Sequence, residues 1–449
     1  MVAPHSELHR KLRNTDNIIR SNRIELASEL HSKYPQDYMD VNTHNTMKRV
    51  MPWVDVVSPL RFHTTKSQAQ TQNQSLQPIS VDKILILCVD FPDKPHSLQL
   101  GTIYDRFFSD TGNSFKNYYK EISHSRYIPE GELYGWYRAP QPSTYYTNKE
   151  NGFGKYPNSA EKLVEDVIEL AKNDPNASID WQSFDGNNNG YVDNLIIVHS
   201  GAEAAFTGDL NDFWAHVYVI PTPKIIQDTN VWVYAMTSEY LNLPTDNQII
   251  GGDCHEFGHL LGLPDLYDVS DNSNGVGAYS LMGAGSWGGK GEVPTHMDAW
   301  SKYVLGFADP TVNPTGNVSL TDAETTCNIV KYTTPDPKEY FLVENRQKFL
   351  YDTYLPSDGL FIWHINENQE YNDNKMCYMV GIIQADGLKD LENKANNGDS
   401  GDSYPGTLNK RSFGINTDPG SVLCNSTRQK LLIRNISDSG TFMTFNSSF

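Results

Sequence analysis

The chain has 449 residues, and its 36 Lys and Arg against 55 Asp and Glu give a formal net charge of −19 at pH 7. This charge repels the phosphates of nucleic acids and of anionic membrane surfaces, so we expect neither as a partner. Hydrophobic residues make up 38% of the chain, which is enough for folded cores. No apolar run reaches the roughly 18 residues of a membrane span, and the length suggests about two or three domains.

Residues 1–76 differ in composition from the rest of the chain. Apolar residues recur at helical spacing over 17–34 and predict an amphipathic helix. The polar stretch 64–78, TTKSQAQTQNQSLQP, cannot bury a core and is typical of a linker. A helical arm followed by a linker is common in pro-segments, so we predict that residues 1–76 are a pro-segment with its linker. A permanent structural arm is the alternative.

Strands and helices alternate in the next part of the chain. The pattern predicts strands at 83–91, 132–136, 194–199 and 231–236, and helices at 114–121 and 160–171. This order is typical of an α/β or α+β core, and we predict an α+β fold with one domain over 77–310. From residue 317 onward, short strands between turns predict a β-rich C-terminal domain over 311–449.

The segment CHEFGHLLGLPD, residues 254–265, carries the pattern of a metal site. His255 and His259 are four residues apart, so on a helix both imidazoles lie on one face and can bind one cation. Glu256, beside the first histidine, can act as general base on a metal-activated water. Gly262 is well placed to end the helix, and Asp265 can then turn back as third ligand. Three protein ligands and one open position are typical of catalytic zinc.

Some assignments around this segment stay open. Asp268 and Glu292 are acidic and lie downstream, so each is an alternative to Asp265 as third ligand. The sequence YSLMG, residues 279–283, resembles the Met-turn beneath the metal of metzincin peptidases. No tyrosine follows Met282 within twenty residues, so His296, Tyr303 or neither stabilises the transition state. Packing of His296 at a helix start is an equally good interpretation.

Nine ordered segments between residues 80 and 410 resemble the immune inhibitor A family of secreted zinc metallopeptidases. They are 84–96, 114–123, 184–201, 254–268, 280–287, 294–307, 339–347, 359–366 and 382–406. The resemblance implies a zincin catalytic domain, endopeptidase activity on protein substrates, a catalytic zinc, structural calcium and a secreted zymogen. The family pattern carries over to His255, Glu256, His259 and Asp265, and to Met282 for the turn.

The loop DGNNNGYVD, residues 185–193, has the oxygen spacing of a calcium-binding loop. The candidate calcium ligands are Asp185, Asn187, Asn189, Tyr191 and Asp193. The twelfth position is Ile196, where an EF-hand carries its bidentate glutamate, so the loop is not an EF-hand. An Asn-Gly turn without an ion is the alternative. A second acidic stretch, with Asp386, Asp390, Asp399 and Asp402, either surrounds a cation or is solvated.

The cysteines exclude a zinc knuckle and a dense disulfide framework, because they are five in number, widely spaced and without a CxxC pair. Of the possible disulfides we favour Cys377 with Cys424. Secretion is expected from the family resemblance, although residues 1–14 contain no apolar signal core.

We therefore expect a secreted zinc endopeptidase of unknown oligomeric state. A catalytically inactive binding protein on a peptidase scaffold is one alternative, and a zinc hydrolase acting on a non-peptide amide is another. If residues 1–76 keep the enzyme latent, a cysteine cannot block the zinc, because the first cysteine is Cys88. Among the carboxylates and imidazoles available, we favour Asp40 or His44, and then Asp55.

Overall fold

The computed structural model describes residues 83–369 and 371–449. The predicted pro-segment, with Asp40, His44 and Asp55, lies outside the described residues. The helices are α1 Leu100–Phe108, α2 Phe115–Ile122, α3 Ser143–Thr147, α4 Ala160–Lys172, α5 Ala204–Thr207, α6 Ile250–Leu260 and α7 Ala299–Val304. In these ranges no helix combines the length and the apolar character that crossing a membrane requires.

The strands form three sheets. Their bounds are β1 Lys83–Asp90, β2 Glu130–Arg138, β3 Leu195–Ala202, β4 His216–Ile226, β5 Thr229–Tyr240, β6 Asp309–Val312, β7 Gly316–Thr321, β8 Asn328–Tyr332, β9 Glu339–Arg346, β10 Gly359–Asn366, β11 Val380–Ile382, β12 Ser412–Gly414, β13 Leu432–Arg434 and β14 Phe442–Ser448. The sheets have the strand orders β2-β1-β3-β5-β4, β11-β10-β9-β8-β6 and β12-β13-β14-β7.

The first sheet is mostly parallel. Strands β2, β1, β3 and β5 run in the same direction, and β4 pairs antiparallel with β5 at one edge. Ile84 to Val89 of β1 are all buried, as expected for a central strand with both faces covered. Helices α2 and α6 pack together there, with the rings of Phe115 and Phe257 5.0 Å apart. This packing places α6 against the sheet.

The second sheet lies between two cores because its side chains alternate. On β9, Tyr340 and Leu342 join the core of the first sheet, whereas Phe341 and Val343 face the third sheet. Strand β10 repeats the pattern, with Trp363 toward the first sheet. The C-terminal β region is therefore packed on the mixed α/β region through a shared core.

The structure confirms the mixed helix and sheet content and the β-rich C-terminal part, with several sheets and few helices. It also contains the favoured disulfide between Cys377 and Cys424, whose Cα atoms are 5.5 Å apart. Cys88 and Cys254 are buried thiols, and Cys327 is half-buried.

Candidate metal centre

Helix α6 carries the two histidines and is anchored at its first turn by a buried ion pair. Asp253 lies 3.0 Å from the guanidinium of Arg106, and both side chains are buried. Thr245 and Asp246, just before the helix, are candidate caps from the sequence, but neither residue caps it. The helix begins at Ile250 without a side-chain cap, and the Asp246 carboxylate instead accepts from the backbone N–H of Leu243 at 3.2 Å.

Gly262 ends this helix as the sequence predicted. Its φ of +100° lies in the left-handed region that favours glycine. The chain turns there, and the backbone N–H of Leu263 donates to the carbonyl of Gly258 at 2.9 Å. The turn directs the following residues back toward the histidine face of the helix.

The turn brings Asp265 to the two histidines. Its Oδ1 lies 3.2 Å from Nε2 of His255 and 3.3 Å from Nε2 of His259. The two imidazole rings are nearly perpendicular, with centroids 4.8 Å apart. One ligand atom from each of the three residues lies within 4.8 Å of the others. A tetrahedral cation with one open position fits this donor set.

The outer nitrogen of each imidazole is held by a backbone carbonyl. Nδ1 of His255 donates to the carbonyl of Leu281 at 2.9 Å, and Nδ1 of His259 donates to that of Leu263 at 2.8 Å. A protonated Nδ1 leaves the Nε2 lone pair available, and both Nε2 atoms point to Asp265. The structure therefore supplies both histidines in the tautomer that a metal requires.

Burial and charge act in opposite directions in this cluster. Burial raises the pKa of Glu256 to about 8, and the neighbouring His255 opposes the shift. Burial would also raise the pKa of Asp265, but the adjacent imidazoles of His259 and His255 outweigh it and hold that pKa well below its usual range. Asp265 is therefore an ionised carboxylate between two imidazoles, which is a suitable environment for a cation.

Met282 lies directly beneath the helix. A Cβ added to Gly258 would come within 2.6 Å of the Met282 sulfur, so a larger residue there would have to displace the Met282 side chain. The Met282 carbonyl accepts from the backbone N–H of Leu266 at 2.9 Å, which ties the turn to the segment that carries Asp265. The predicted Met-turn thus supports both the helix and the third member of the cluster.

The alternative ligands lie elsewhere. The Asp268 carboxylate accepts from the hydroxyl of Ser273 at 2.8 Å, and Glu292 is exposed. His296 is fully buried and bonded through Nε2 to Glu121 at 2.9 Å, so it is a packed core histidine. The Tyr303 hydroxyl instead accepts from Lys331 at 3.3 Å. Asp265 is the acidic residue that the structure brings to the two histidines.

Two residues that the sequence did not single out lie beside the cluster. The ring of Tyr267 is stacked on that of His255, with the ring centroids 6.3 Å apart. The Tyr267 hydroxyl bonds to the Asp265 carboxylate. Glu203 is buried directly after β3, where it accepts from the backbone N–H of Ala215 at 3.1 Å. Its charge adds to the raised pKa of Glu256. The only sequence signal for Glu203 was its place at the carboxyl end of a parallel strand, where sites in such sheets form.

The loop 185–193 is folded around its own side-chain oxygens. Asp185 accepts from the backbone N–H groups of Asn189 and Gly190 at 2.9 and 2.8 Å, and Asn187 also accepts from that of Asn189, at 3.0 Å. Asp193 accepts from the backbone N–H of Gly186 at 2.7 Å. Asn189 accepts from the backbone N–H of Tyr191 at 3.0 Å. The candidate ligands are therefore close together, and calcium binding by this loop stays a prediction.

The second acidic stretch forms a smaller group than the sequence suggested. Carboxylate oxygens of Asp386, Asp399 and Asp402 lie within 4.8 Å of one another, and Asp390 is outside this group. Asp402 also accepts from the Tyr279 hydroxyl at 2.7 Å.

The region around the metal centre is similar to a known protein family. Residues 96–308, just under half of the chain, match the family described as immune inhibitor A peptidase M6, catalytic domain. The resemblance to the immune inhibitor A family is confirmed. The match includes the two histidines, Glu256, Asp265 and the Met-turn.

Two curated proteins are similar to about half of the chain. It is 32% identical over 273 residues to the pre-pro-metalloprotease PrtV of Vibrio cholerae serotype O1, which covers 50% of this chain and 29% of PrtV. It is 29% identical over 273 residues to immune inhibitor A of Bacillus thuringiensis subsp. alesti, which covers 49% of this chain and 39% of that protein. The chain therefore spans well under half the length of either relative.

Proposed function

We propose that this protein is a zinc-dependent endopeptidase with a zincin-type catalytic domain. The observation that carries the proposal is the convergence of His255, His259 and Asp265, with each Nδ1 already donating to a backbone carbonyl. The match to a peptidase catalytic domain and the metalloprotease relative support the same function.

The roles of the side chains follow from their positions. A zinc ion held by the three residues would polarise the scissile carbonyl and activate a water molecule as nucleophile. Glu256 follows the first ligand on the helix and is 6% exposed, so bulk water does not compete for its proton. In its ionised form, the carboxylate would take the proton of the nucleophilic water and deliver it to the leaving amine.

Tyr267 supports the third ligand in this scheme. Its hydroxyl donates to the Asp265 carboxylate while its ring covers His255. Groups that orient metal ligands in this way commonly change metal affinity by about 10- to 100-fold when removed. We assign Tyr267 to holding Asp265 in its ligand orientation.

The wider biology is proposed on the same basis. We propose protein substrates, secretion and synthesis as a zymogen, because one relative is named a pre-pro-metalloprotease. Structural calcium at the loop 185–193 belongs to the same proposal. The two rival functions, an inactive peptidase scaffold and a hydrolase of non-peptide amides, are distinguished by the next experiment.

Elemental analysis of the chain, together with casein digestion after cleavage within the linker 64–78, in the presence and absence of o-phenanthroline, tests the function. We expect about one zinc per chain and casein cleavage that the chelator abolishes. Zinc without casein cleavage would favour the hydrolase of non-peptide amides, and neither zinc nor cleavage would favour the inactive scaffold.

Latency is tested by limited proteolysis of the full chain within the linker 64–78. If residues 1–76 block the cleft, casein cleavage rises after the cut, and Asp40→Ala or His44→Ala raises it without a cut. Equal activity of cut and uncut chains under the same zinc concentration would contradict latency.

A further inference from the structure

A buried arginine of the C-terminal β region contacts the backbone around the Met-turn, which supports the metal centre. Arg346 is the last residue of β9 and is fully buried. It lies on the β9 face that packs against the mixed α/β region, because it alternates in register with Leu342 and Glu344. This face brings its guanidinium to the segment before the Met-turn.

The guanidinium is held in one orientation by Asp352. Nε of Arg346 lies 2.8 Å from one Asp352 oxygen, and Nη2 lies 2.6 Å from the other. Both side chains are fully buried. The paired geometry fixes the plane of the guanidinium, and the remaining N–H groups are directed at defined acceptors.

Those acceptors are backbone carbonyls next to the metal centre. Nη1 of Arg346 donates to the carbonyl of Tyr279, and Nη2 approaches the carbonyl of His296 at 3.4 Å. The same His296 carbonyl accepts from the backbone N–H of Leu281 at 3.1 Å, and the Asp352 carboxylate accepts from the backbone N–H of His296 at 2.8 Å. Arg346 and Asp352 thus hold the two backbone segments that flank Leu281.

The carbonyl of Leu281 is the acceptor for Nδ1 of His255, at 2.9 Å. A continuous hydrogen-bonded series therefore runs from Arg346, through the His296 carbonyl and Leu281, to a metal-ligating imidazole. We propose that Arg346 is a positioning residue that holds the Leu281 carbonyl and thereby the tautomer and orientation of His255. This inference rests on the proposed zinc function and adds that the C-terminal β region is part of the metal centre's support.

The test compares Arg346→Met with a matched variant, Lys302→Met. Lys302 forms a buried ion pair with Glu344 at 2.6 Å between the same two regions, but it makes no hydrogen bond to Leu281 or His296 in the described part of the chain. Each variant removes one of the two buried cations beside Glu344, which lies 2.6 Å from Lys302 and 3.9 Å from Arg346, so both are expected to lower the melting temperature. Only Arg346→Met is expected to change His255.

Two readouts follow His255 itself. In metal-free protein with ¹⁵N-labelled histidine, the NMR signals of the ring nitrogens report the tautomer. The signals of His255 are assigned as those that are missing from a His255→Gln variant. We expect protonation at Nδ1 in the unmutated protein and in Lys302→Met, and a mixture of tautomers in Arg346→Met. We also expect zinc affinity to fall by about 10- to 100-fold in Arg346→Met alone.

An unchanged His255 tautomer with zinc affinity within about threefold of the unmutated protein would overturn the inference. An equal loss in Lys302→Met would overturn it too, because general destabilisation would then explain the effect. If Arg346→Met is insoluble, Arg346→Lys keeps the charge and loses the paired geometry, and it is judged by the same two readouts. The metal-free tautomer is measured independently of catalysis, so a chain that fails to cleave casein refutes the proposed function without deciding this inference.

Discussion

The metal centre and the loop 185–193 both present oxygen or nitrogen donors at a spacing typical of a cation site, yet their donors are used differently. At the metal centre, the outer atoms of the ligands are bonded to carbonyls of other segments, such as that of Leu281, and the inner atoms converge. In the loop, carboxylate oxygens accept from the loop's own N–H groups, as Asp185 does from Gly190.

This difference shows that the spacing of donor residues in a sequence does not specify how the donors are oriented. Each imidazole of the metal centre is oriented by a contact outside its helix, so the donors converge before any cation arrives. The side-chain oxygens of the loop accept hydrogen bonds from the loop's own backbone, so the folded loop depends less on a bound ion. We therefore expect large effects from changes at the metal centre and small effects from changes in the loop.

The largest expected effect is the loss of metal in His259→Ala. Two ligands and an open site do not retain zinc, so the variant should contain less than about a tenth of the zinc of the unmutated protein and have no measurable casein cleavage. The matched control is His364→Ala, since His364 also pairs with a carboxylate, that of Glu339 at 2.9 Å, but lies in the second sheet. Equal zinc content in both variants would remove His259 from the site.

Glu256→Ala should separate chemistry from metal binding. The carboxylate carries a proton and is not a ligand, so zinc content should stay normal while casein cleavage falls by about 10²- to 10⁴-fold. The exposed Glu292 provides the control, and Glu292→Ala should keep full activity. Residual activity of Glu256→Ala within about tenfold of the unmutated protein would contradict the general-base role.

Tyr267→Phe tests the support of Asp265. The change removes one hydroxyl and keeps the ring over His255, so we expect zinc affinity to fall by about tenfold with little change in melting temperature. A competition titration with a chelating dye measures this affinity. Tyr303→Phe is the control, because the Tyr303 hydroxyl bonds to Lys331 and not to Asp265, and identical affinities in the two variants would show that the Tyr267 hydroxyl has no such role.

The smallest effect is expected from calcium at the loop. A bound ion stabilises the folded chain by about 2.7 kcal/mol at a hundredfold excess over its Kd, so EGTA should lower the melting temperature by a few degrees and leave zinc in place. Asp185→Ala should show the lowered melting temperature with or without calcium. If melting temperatures are the same at low and high calcium in the unmutated chain, the loop binds no ion.

Local patterns were predictable from the sequence, and contacts between distant segments were not. Helix α6, its end at Gly262 and the strands β1, β3, β9 and β10 follow from residue spacing. Strand β4 was missed because Pro221 and Pro223 lie within it, and proline argues against a central strand. Here β4 is an edge strand, and its register shifts between Val219 and Lys224, where the prolines lie.

In the candidate metal centre, too, the local arrangement was predictable and the contacts from distant segments were not. His255, His259 and Asp265 lie within eleven residues, so one turn of the chain sufficed to place them together. Tyr267 reaches Asp265 only through a bend that no spacing rule predicts, and Arg346 approaches from another sheet. Both residues lie in segments that resemble the family, 254–268 and 339–347, but nothing in the sequence indicated which partners they contact.

The core shared by the first and second sheets has a consequence for how the molecule unfolds. Trp363 and Leu342 are fully buried against the region that matches the peptidase family, although both lie beyond residue 308, where that match ends. Exposing each such side chain costs about 1.5–3 kcal/mol, so a cut at this boundary would leave an unstable surface on both pieces. The boundary marks where sequence similarity stops, whereas the cooperative unit continues through β9 and β10, and heating should melt the two regions in a single transition.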